Sequence, residues 1–428
     1  AHKFIHISDS SLCREVMAKR PKMFSRGEDI NEMGNKLGYL PYGLFHANDA
    51  AIWSKTKKLT VPAFSKQNLT NMSRAIYEEV MSFVVKVDAL SRADTDIELR
   101  REIARYTTGV IDKVAFGNER VDYFVSEQWY EDLLNTMQTF QDSATFPFWK
   151  WLWRFTPMRQ TELKVKAGNA RFTAAAQEVI DRQRILQAAM KDDDKKSLSG
   201  LIDIMLRQGG ASDAEIMANV KTFYVVGSDT TFGTISWALY LLLQHPEMVD
   251  RLREEAALFF ALDLEHKPDG EVCDALVGLT YAHAVFKEAS RIYPPAPVQM
   301  LDFINKTDSL ELSNGMVIEA GRTVMLDVKT CMMDEEFFPN PTTFDPSRWL
   351  TEDKELLARM ENAYLTFGSG PRMCPGMNLA MRQGSLAIAA LYHHFDLRLA
   401  CPVEEVSLDF KFTIHPSKLP VRAARRVV

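Results

Sequence analysis

The stretch with the clearest chemical content is a glycine-rich loop near the C-terminus that presents one cysteine, Cys374. The loop spans 367–376, and an apolar helical pattern follows it from 377 to about 397. The N–H groups at a helix start are unpaired and carry the positive end of the macrodipole, so they favour a thiolate over a thiol. We therefore expect Cys374 to hold a soft metal. The alternative is a turn with a buried, inert cysteine.

The same loop is suited to a flat ligand that carries acidic groups. Glycines at 368, 370 and 376 allow a positive φ, or a close approach of the backbone where a Cβ would collide. Arg372, two positions before the cysteine, supplies a fixed cation that matches the geometry of a carboxylate.

A second stretch places hydroxyl groups beside an acid inside a helical pattern. From 213 to about 244 the residues are apolar almost all round, as in a helix that crosses a large core. The centre of this pattern reads Gly-Ser-Asp-Thr-Thr at 227–231, and these residues are poor helix formers. Hydroxyls that bond back to earlier carbonyls can open the turn. The centre is therefore either a notch that carries a polar handle or a notch for close helix packing.

Two pairs of residues share a helix face. Glu288 and Arg291 are three positions apart, and Trp53 and Lys57 are four apart. Taken alone, the first pair is explained by a surface ion pair and the second by a core tryptophan beside a solvated lysine.

The pattern Phe-x-x-Gly-x-Arg-x-Cys-x-Gly of the loop resembles the haem-binding loop of the cytochrome P450 family, whose proximal iron ligand is a cysteine thiolate. The resemblance implies that Cys374 is the axial ligand of haem b. The other loop residues that it assigns to the cofactor are Phe367, Gly368, Arg372 and Gly376.

The notch at 227–231 is similar to the oxygen-activating element of the family, with Val226 where alanine or glycine is usual. The resemblance assigns proton delivery to Asp229 and Thr230, because a hydroxyl beside an acid can order the water that carries the protons. It also places Gly227 against the cofactor, and the Val226 side chain would narrow the space above the haem.

Two more elements match the family in the expected order. Trp53 and Lys57 match a Trp-x-x-x-Arg element that contacts the haem propionates; lysine keeps the charge but loses the bidentate fork. Glu288, Arg291 and Arg348 look like the buried Glu–Arg–Arg network of the family, which we expect to hold the cysteine loop in place.

By the same resemblance, a set of apolar and hydroxyl residues lines the substrate pocket: Val226, Pro297, Val298, Met300, Phe412 and Thr413. The segment 146–157 holds three tryptophans and three phenylalanines beside Lys150 and Arg154. It either caps the core or forms the lid over the substrate, with peripheral membrane contact. The histidines, His415 included, show no ligand spacing, and we expect them to be ordinary core or surface residues.

The elements that position these residues are mostly helices. Helical patterns occur at about 66–90, 97–116, 127–143, 159–188 and 197–207. A strand at 4–7 precedes a helix that begins near Asp9 or Ser10, hairpins are predicted at 310–318 and 408–415, and 24–48 is predicted to be a long loop. We expect a mainly α fold with a minor β region. The resemblance implies a cytochrome P450-like fold in one large domain, 1–428, that encloses haem.

Composition narrows the class of protein but not the reaction. The 428 residues are 46% hydrophobic, and the net charge of −6 argues against nucleic acid as the main partner. Five scattered cysteines without a C-x-x-C pair predict neither a disulfide framework nor a zinc site, and they favour an intracellular protein. The chain contains no run of about 18 apolar residues. It opens on Ala1, so we expect a native N-terminal segment to be missing. We expect a cytoplasmic protein or, if an anchor was removed, one on the cytoplasmic face of the endoplasmic reticulum.

The function implied by the resemblance is monooxygenation of a hydrophobic small molecule of lipid or secondary metabolism. Dioxygen is the co-substrate, and electrons come ultimately from NAD(P)H through a flavin reductase or a ferredoxin, because the chain has no nicotinamide or flavin fingerprint. Lys55 and Lys58 are either docking residues for this partner or solvated charges.

Two other functions stay open at this point. One is a haem-thiolate isomerase or dehydratase that acts on lipid peroxides, which would not need Asp229 and Thr230. The other is a non-catalytic haem-binding sensor, which needs the thiolate but no proton relay.

Overall fold

A computed structural model describes residues 4–93, 95–116, 121–145, 158–189, 200–411 and 413–427. Helices dominate it, as the sequence predicts. The helices are α1 (Ser10–Ala18), α2 (Glu28–Leu37), α3 (Ala50–Thr60), α4 (Lys66–Ser91), α5 (Leu99–Phe116), α6 (Glu127–Thr145), α7 (Met158–Ala189), α8 (Leu201–Gln208), α9 (Asp213–Gln244), α10 (Val249–Phe260), α11 (Asp269–Gly278), α12 (Thr280–Ile292), α13 (Val328–Cys331), α14 (Lys354–Ala363) and α15 (Met377–His394).

The strands are short and form small sheets. They are β1 (Phe4–Ile7), β2 (Phe24–Arg26), β3 (Ile97–Glu98), β4 (Val298–Phe303), β5 (Leu310–Glu311), β6 (Val317–Ile318), β7 (Thr323–Asp327), β8 (Phe395–Leu399), β9 (Leu408–Phe410), β10 (Ile414–Pro416) and β11 (Pro420–Arg425). The predicted mainly α fold with a minor β region is confirmed.

Helix α9 is the element around which the others pack. It begins with a capping box, in which the Ser212 hydroxyl accepts from the Glu215 N–H and the Glu215 carboxylate accepts from the Ser212 N–H. Almost every residue from 215 to 242 is buried, and the helix contacts α5, α7, α12 and α15. Its bounds are those that the apolar pattern predicts.

The largest sheet brings two distant parts of the chain together. Its strand order is β1-β7-β4-β2, with β1 parallel to β7 and the other neighbours antiparallel. Arg26 on β2 pairs with Leu301 on β4. The segment that leads into α2 is thereby fixed beside the strand that follows α12.

Apolar side chains form two clusters. The larger one surrounds α9, and the smaller one joins the four-stranded sheet to α1 and α14. Phe367 packs against both clusters. The first residue of the cysteine loop therefore lies where the two clusters meet.

The prediction of a long loop over 24–48 is wrong in part. Residues Phe24–Arg26 form β2, and Glu28–Leu37 form α2, which ends at Gly38 with φ 75°. The helix contains Gly34, where a Cβ would lie 2.9 Å from Cδ2 of His46. Tertiary packing thus selects a glycine inside a helix, which lowers the helix propensity of the sequence.

Candidate active site

The cysteine loop connects α14 to α15 and folds back on itself. The Cys374 N–H donates to the Phe367 carbonyl over 2.9 Å, and the Met373 N–H donates to the Gly370 carbonyl over 3.1 Å. Gly368 and Gly370 both have positive φ, 70° and 69°. Backbone bonds and two left-handed glycines therefore set the position of the cysteine.

Helix α1 holds the outer side of the loop. A Cβ on Gly370 would lie 2.9 Å from the Cα of Ala18 and 2.9 Å from the carbonyl oxygen of Met17. The Arg14 guanidinium donates to the Ser369 hydroxyl over 3.4 Å. The short strand and helix at the start of the described chain thus serve the site near its end.

The environment of Cys374 differs from the expectation drawn from its helix-start position. Burial raises the pKa of the Cys374 thiol to about 11, and a hydrogen bond from the Gly376 N–H opposes that rise. Burial outweighs the backbone N–H, so the protein alone favours a thiol. A bound metal cation would be needed to deprotonate it.

Three arginines converge near the loop, of which Arg20 is buried and Arg26 and Arg372 are half-buried. Burial lowers the pKa of Arg26 well below its usual range, and repulsion from Arg20 and Arg372 adds to the effect. Burial also lowers the pKa of Arg372 to about 9, again with repulsion from Arg20. Among side chains that the structure describes, no carboxylate forms an ion pair with any of them.

Within the described part of the chain, the cluster leaves several donors without an acceptor. The Nε and Nη2 of Arg20 and the Nε of Arg372 are buried and find no hydrogen-bond partner there. Other donors of Arg372 reach the carbonyls of Leu44 and Ala47, and Arg20 donates to the Gln299 side chain over 3.2 Å. Unpaired guanidinium donors in a buried cluster match the chemistry of carboxylates such as the two haem propionates.

Trp53 and Lys57 lie beside this cluster, where the sequence predicts them. The guanidinium carbon of Arg372 is 4.8 Å from the centroid of the Trp53 ring. The Lys57 ammonium is 5.0 Å from the same ring and donates to the Pro371 carbonyl over 2.9 Å. Lys57 therefore ties α3 to the cysteine loop.

Arg20 and Arg26 were not among the predicted site residues. Arg20 ends the segment predicted as a strand and a helix, Arg26 lies in the predicted loop, and each is a lone arginine without helical spacing to a partner. The only signal in the sequence was the phenylalanine before Arg26 and the glycine after it, a pattern that indicates the end of a strand. It did not indicate a ligand.

The centre of α9 shows the back-bonding that the notch predicts. The Thr230 hydroxyl donates to the Val226 carbonyl over 2.9 Å, and the Thr231 hydroxyl donates to the Gly227 carbonyl over 3.4 Å. Val226, Gly227 and Thr230 are half-buried, whereas the other residues from 218 to 242 are buried. They mark the face of α9 that borders open space.

Gly227 lies against a neighbouring helix. A Cβ there would be 2.7 Å from Cδ1 of Ile111 on α5. The close approach of α5 is therefore one reason for a glycine at this position. Gly227 is half-buried like Val226 and Thr230, so its assignment to the cofactor stays a prediction.

Asp229 is buried and bonded to the C-terminal hairpin. Its Oδ2 accepts from the Thr413 hydroxyl over 2.5 Å, and its Oδ1 lies 3.2 Å from Nε2 of His415. All three side chains are at most 3% exposed. Thr413, predicted to line the substrate pocket, is instead engaged by the acid.

The role of His415 was missed. The sequence predicts an ordinary core or surface residue at His415. The structure shows more than this, because the imidazole contacts Asp229, the candidate proton donor. The signal was the alternation over 408–415, which puts Thr413 and His415 on one face of a strand. Nothing in the pattern showed that this face meets Asp229.

Glu288 is the centre of a fully buried network. Its carboxylate accepts from Arg291 over 2.7 and 2.9 Å and from Nε of Arg348 over 2.9 Å. The indole N–H of Trp349 donates to it over 2.9 Å. The structure thus brings together three charged residues that the sequence predicts as one network.

The network reaches the cysteine loop through two short links. Arg291 donates to the Met332 carbonyl over 2.8 Å, and the Met332 sulfur accepts from the Leu365 N–H. The Thr366 hydroxyl donates to the Ser290 carbonyl over 2.9 Å. Helix α12 is therefore bonded to the chain just before Phe367.

The remaining predicted site residues are placed as follows. Val298 and Met300 are partly exposed on β4, and Pro297 precedes them. Phe412 and the segment 146–157 lie outside the described residues. Lys55 pairs with Glu215 over 2.6 Å. Of the two candidate docking lysines, only Lys58 is exposed and forms no ion pair with a described residue.

In the part of the chain that the structure describes, no helix is both long and apolar enough to cross a bilayer. The described histidine, cysteine and acidic side chains form no cluster of three that could hold a metal ion. A metal bound through Cys374 would thus need further ligands from a cofactor.

Comparison with known proteins supplies the family. A model of the family described as Cytochrome P450 matches residues 1–422. Cytochrome P450 82A1 of Pisum sativum is 25% identical, over 84% of this chain and 71% of the relative. Secologanin synthase 1 of Catharanthus roseus is 26% identical, over 92% and 74%. Cytochrome P450 4X1 of Mus musculus is 27% identical, over 82% and 68%.

The family match explains the chemistry of the site. Its members are monooxygenases that use haem b, dioxygen and electrons from NAD(P)H delivered by a partner. The unpaired guanidinium donors of Arg20 and Arg372 fit the acidic groups of haem, and the Cys374 side chain has the chemistry of a soft ligand. Since the match extends over almost the whole chain, this protein is an oxidoreductase that belongs to the cytochrome P450 family.

Proposed function

We propose that this protein inserts one oxygen atom into a hydrophobic small molecule, and that Asp229 and Thr230 deliver the protons that the reaction consumes. The observation that carries the proposal is the centre of α9. Thr230 borders open space beside Val226, and the next residue towards the N-terminus is a buried acid. A sensor would not need an acid and a hydroxyl at this place.

The residues of the site have separate roles. Haem held through a thiolate supplies oxygen activation, because thiolate donation favours O–O cleavage. Cys374 would provide that ligand, and Arg20, Arg26 and Arg372 would hold the carboxylates. The Glu288 network and α1 keep the loop in register, so the sulfur does not have to reorganise when the cofactor binds.

The substrate class is proposed from the apolar lining. Val226, Val298 and Met300 offer methyl and thioether groups. Such a lining favours a lipid, sterol or terpenoid over a polar compound. The valine at 226 sets a narrower space above the haem than glycine or alanine would leave.

The electron donor is proposed to be a separate acidic protein, either a flavin reductase or a ferredoxin. Lys58 is exposed on α3, the helix that Lys57 bonds to the cysteine loop, and Met373 is 48% exposed beside Cys374. A cation near a partly open thiolate loop suits transient docking of an acidic partner. Salt should therefore slow reduction.

The function is tested by comparing Thr230→Ala with Thr231→Ala. Purified enzyme, a reductase, NADPH and isotopically labelled dioxygen are incubated with a fatty acid, a sterol and a terpenoid, and products are identified by mass. We expect one labelled atom in a product of the wild type. Thr230→Ala should consume NADPH while most product is lost, on the order of 10-fold or more.

Thr231→Ala is the matched control. Its hydroxyl donates to Gly227 and accepts from Gln383, on the buried side of α9. It should keep product yield per NADPH. Conversion of a lipid hydroperoxide without NADPH, unaffected by Thr230→Ala, would instead support the isomerase alternative.

A further inference from the structure

The acid of the proposed proton relay is bonded to a histidine and a threonine that lie far away in the sequence. Asp229 is on α9, whereas Thr413 and His415 belong to the C-terminal hairpin. Thr413 Oγ1 is 2.6 Å from Nε2 of His415, so the three side chains form a closed triangle of contacts. The resemblance to the cytochrome P450 family assigns no role to His415.

The hydrogen-bond pattern defines how the imidazole is oriented. The single proton of the Thr413 hydroxyl is donated to Oδ2 of Asp229. Nε2 of His415 must therefore be the donor towards the Thr413 oxygen and towards Oδ1 of Asp229, because otherwise lone pairs would face each other. The tautomer that fits carries its proton on Nε2.

The other ring nitrogen has no hydrogen-bond partner among the residues that the structure describes, and it has little space. Nδ1 of His415 is buried and unpaired, and a Cβ on Gly233 would lie 2.9 Å from it. A proton there would be a buried donor without an acceptor, which is costly. The ring also stacks on Phe232, with centroids 4.5 Å apart. Packing and hydrogen bonds therefore hold the imidazole in one orientation.

Asp229 is held on a different side of α9 from Thr230. Both carboxylate oxygens accept from the hairpin, while the Thr230 hydroxyl donates to Val226. Asp229 also lines a small cavity between α5, α6 and α9, together with Arg105, Ser126 and Tyr130. The surface of this cavity is mostly apolar, and these three side chains bring polar groups to it beside the acid.

Resting on the proposed function, we infer that His415, with Thr413, is a positioning residue for Asp229. It holds the carboxylate in the orientation from which the acid takes up protons on the cavity side. Loss of this donor should slow proton delivery without changing the haem ligand. The C-terminal hairpin thus selects one rotamer of the Asp229 side chain.

The test uses the full chain with haem bound and four variants. His415→Phe keeps the stacked ring but removes the donor, His415→Gln keeps a donor, and Asp229→Asn removes the acid; the fourth combines His415→Phe with Asp229→Asn. His393→Phe is the matched control, since His393 is also buried and stacks on a phenylalanine, with centroids 4.6 Å apart. Reductase-supported NADPH oxidation is measured in H2O and D2O.

We expect NADPH oxidation by His415→Phe to be several-fold slower, with a larger solvent deuterium isotope effect, and His415→Gln to recover most of the rate. The double variant should be no slower than Asp229→Asn alone, because the histidine acts through the acid. His393→Phe should match the wild type. Multiplying effects in the double variant, or an unchanged isotope effect in His415→Phe, would overturn the inference.

A spectroscopic readout separates this inference from the proposed function. In the reduced, carbon monoxide-bound protein labelled with 15N-histidine, His415 should show the Nε2–H tautomer, and Asp229→Asn should shift its signals. A wild type that never oxidises NADPH would contradict the proposed function. The NMR experiment would still show whether His415 is hydrogen-bonded to Asp229. A His415 signal that ignores Asp229→Asn would defeat the positioning role.

Discussion

At the scale of single residues, charge without a partner carries most of the information about the cofactor. Arg20, Arg26 and Arg372 lie together, the first buried and the other two half-buried. Their mutual repulsion lowers the pKa of Arg26 and Arg372 beyond the effect of burial alone. Crowded cations cost free energy until anions join them. The cluster therefore makes the folded protein less stable alone and more stable with an acidic cofactor.

Arg20→Met should accordingly have opposite effects on the two states. The melting temperature of haem-free protein should stay equal or rise, because one repulsive charge is removed. Haem should dissociate faster, by about 10-fold, since a charge-assisted bond contributes about 1.5–3 kcal/mol. Transfer of haem to apomyoglobin measures the rate. The exposed Arg359→Met is the control, and equal haem loss in both variants would contradict the assignment.

Some residues of the site could be predicted from the sequence, and others could not. Cys374, Glu288 and Thr230 could be named because their motifs are local. Arg20, Arg26 and His415 could not, because each gains its role from a contact between segments that lie far apart in the chain. Residue type and spacing carry no signal for such contacts when only one sequence is read.

At the scale of elements, the cysteine loop depends on two glycines for different reasons. Gly368 and Gly370 share a left-handed φ. A Cβ on Gly368 would meet nothing within 4 Å, whereas one on Gly370 would press on the backbone of α1. The turn requires both glycines, and the contact between α1 and the loop also requires the second.

Gly370→Ala should therefore be more harmful than Gly368→Ala. Both pay a conformational cost of about 1–2 kcal/mol, so the difference between them isolates the contact with Ala18 and Met17. We expect a lower melting temperature and weaker haem retention in Gly370→Ala. Thermal unfolding and haem titration of the two variants measure it. Equal losses would mean that α1 does not brace the loop.

Prediction of elements succeeded where the apolar pattern was long. The bounds of α9 and α4 follow from sustained periodicity and from caps such as Ser212 and Ser65. Helix α2 was missed because Gly34 and two asparagines weaken its pattern, and tertiary packing on His46 overrides this weakness. Short elements gain their stability from neighbours rather than from their own residues.

At the scale of the whole molecule, buried histidines make the fold sensitive to acid. Burial lowers the pKa of His394 to about 4, with repulsion from His393 and Arg425 added and attraction from Asp88 opposing. An unfolded histidine titrates near about 6.5. Between these values the unfolded chain binds a proton that the folded chain refuses, so the free energy of unfolding falls as the pH falls.

The stability of wild type should thus be full above about pH 6.5 and should decline towards about pH 4. In His394→Gln the decline should be shallower. His266→Gln, which changes an exposed histidine, should follow the wild type. Melting temperatures across this range measure the effect, and parallel curves for wild type and His394→Gln would remove His394 as a cause.

The proposed function requires a thiolate ligand from Cys374. The most direct measurement is the absorption spectrum of the reduced protein with carbon monoxide, recorded for the wild type and for Cys374→Ser. We predict a strongly red-shifted Soret band in wild type that is lost in the variant, because only a thiolate ligand donates enough electron density to iron. An unshifted band shared by both proteins, or no haem in the wild type, would contradict the account.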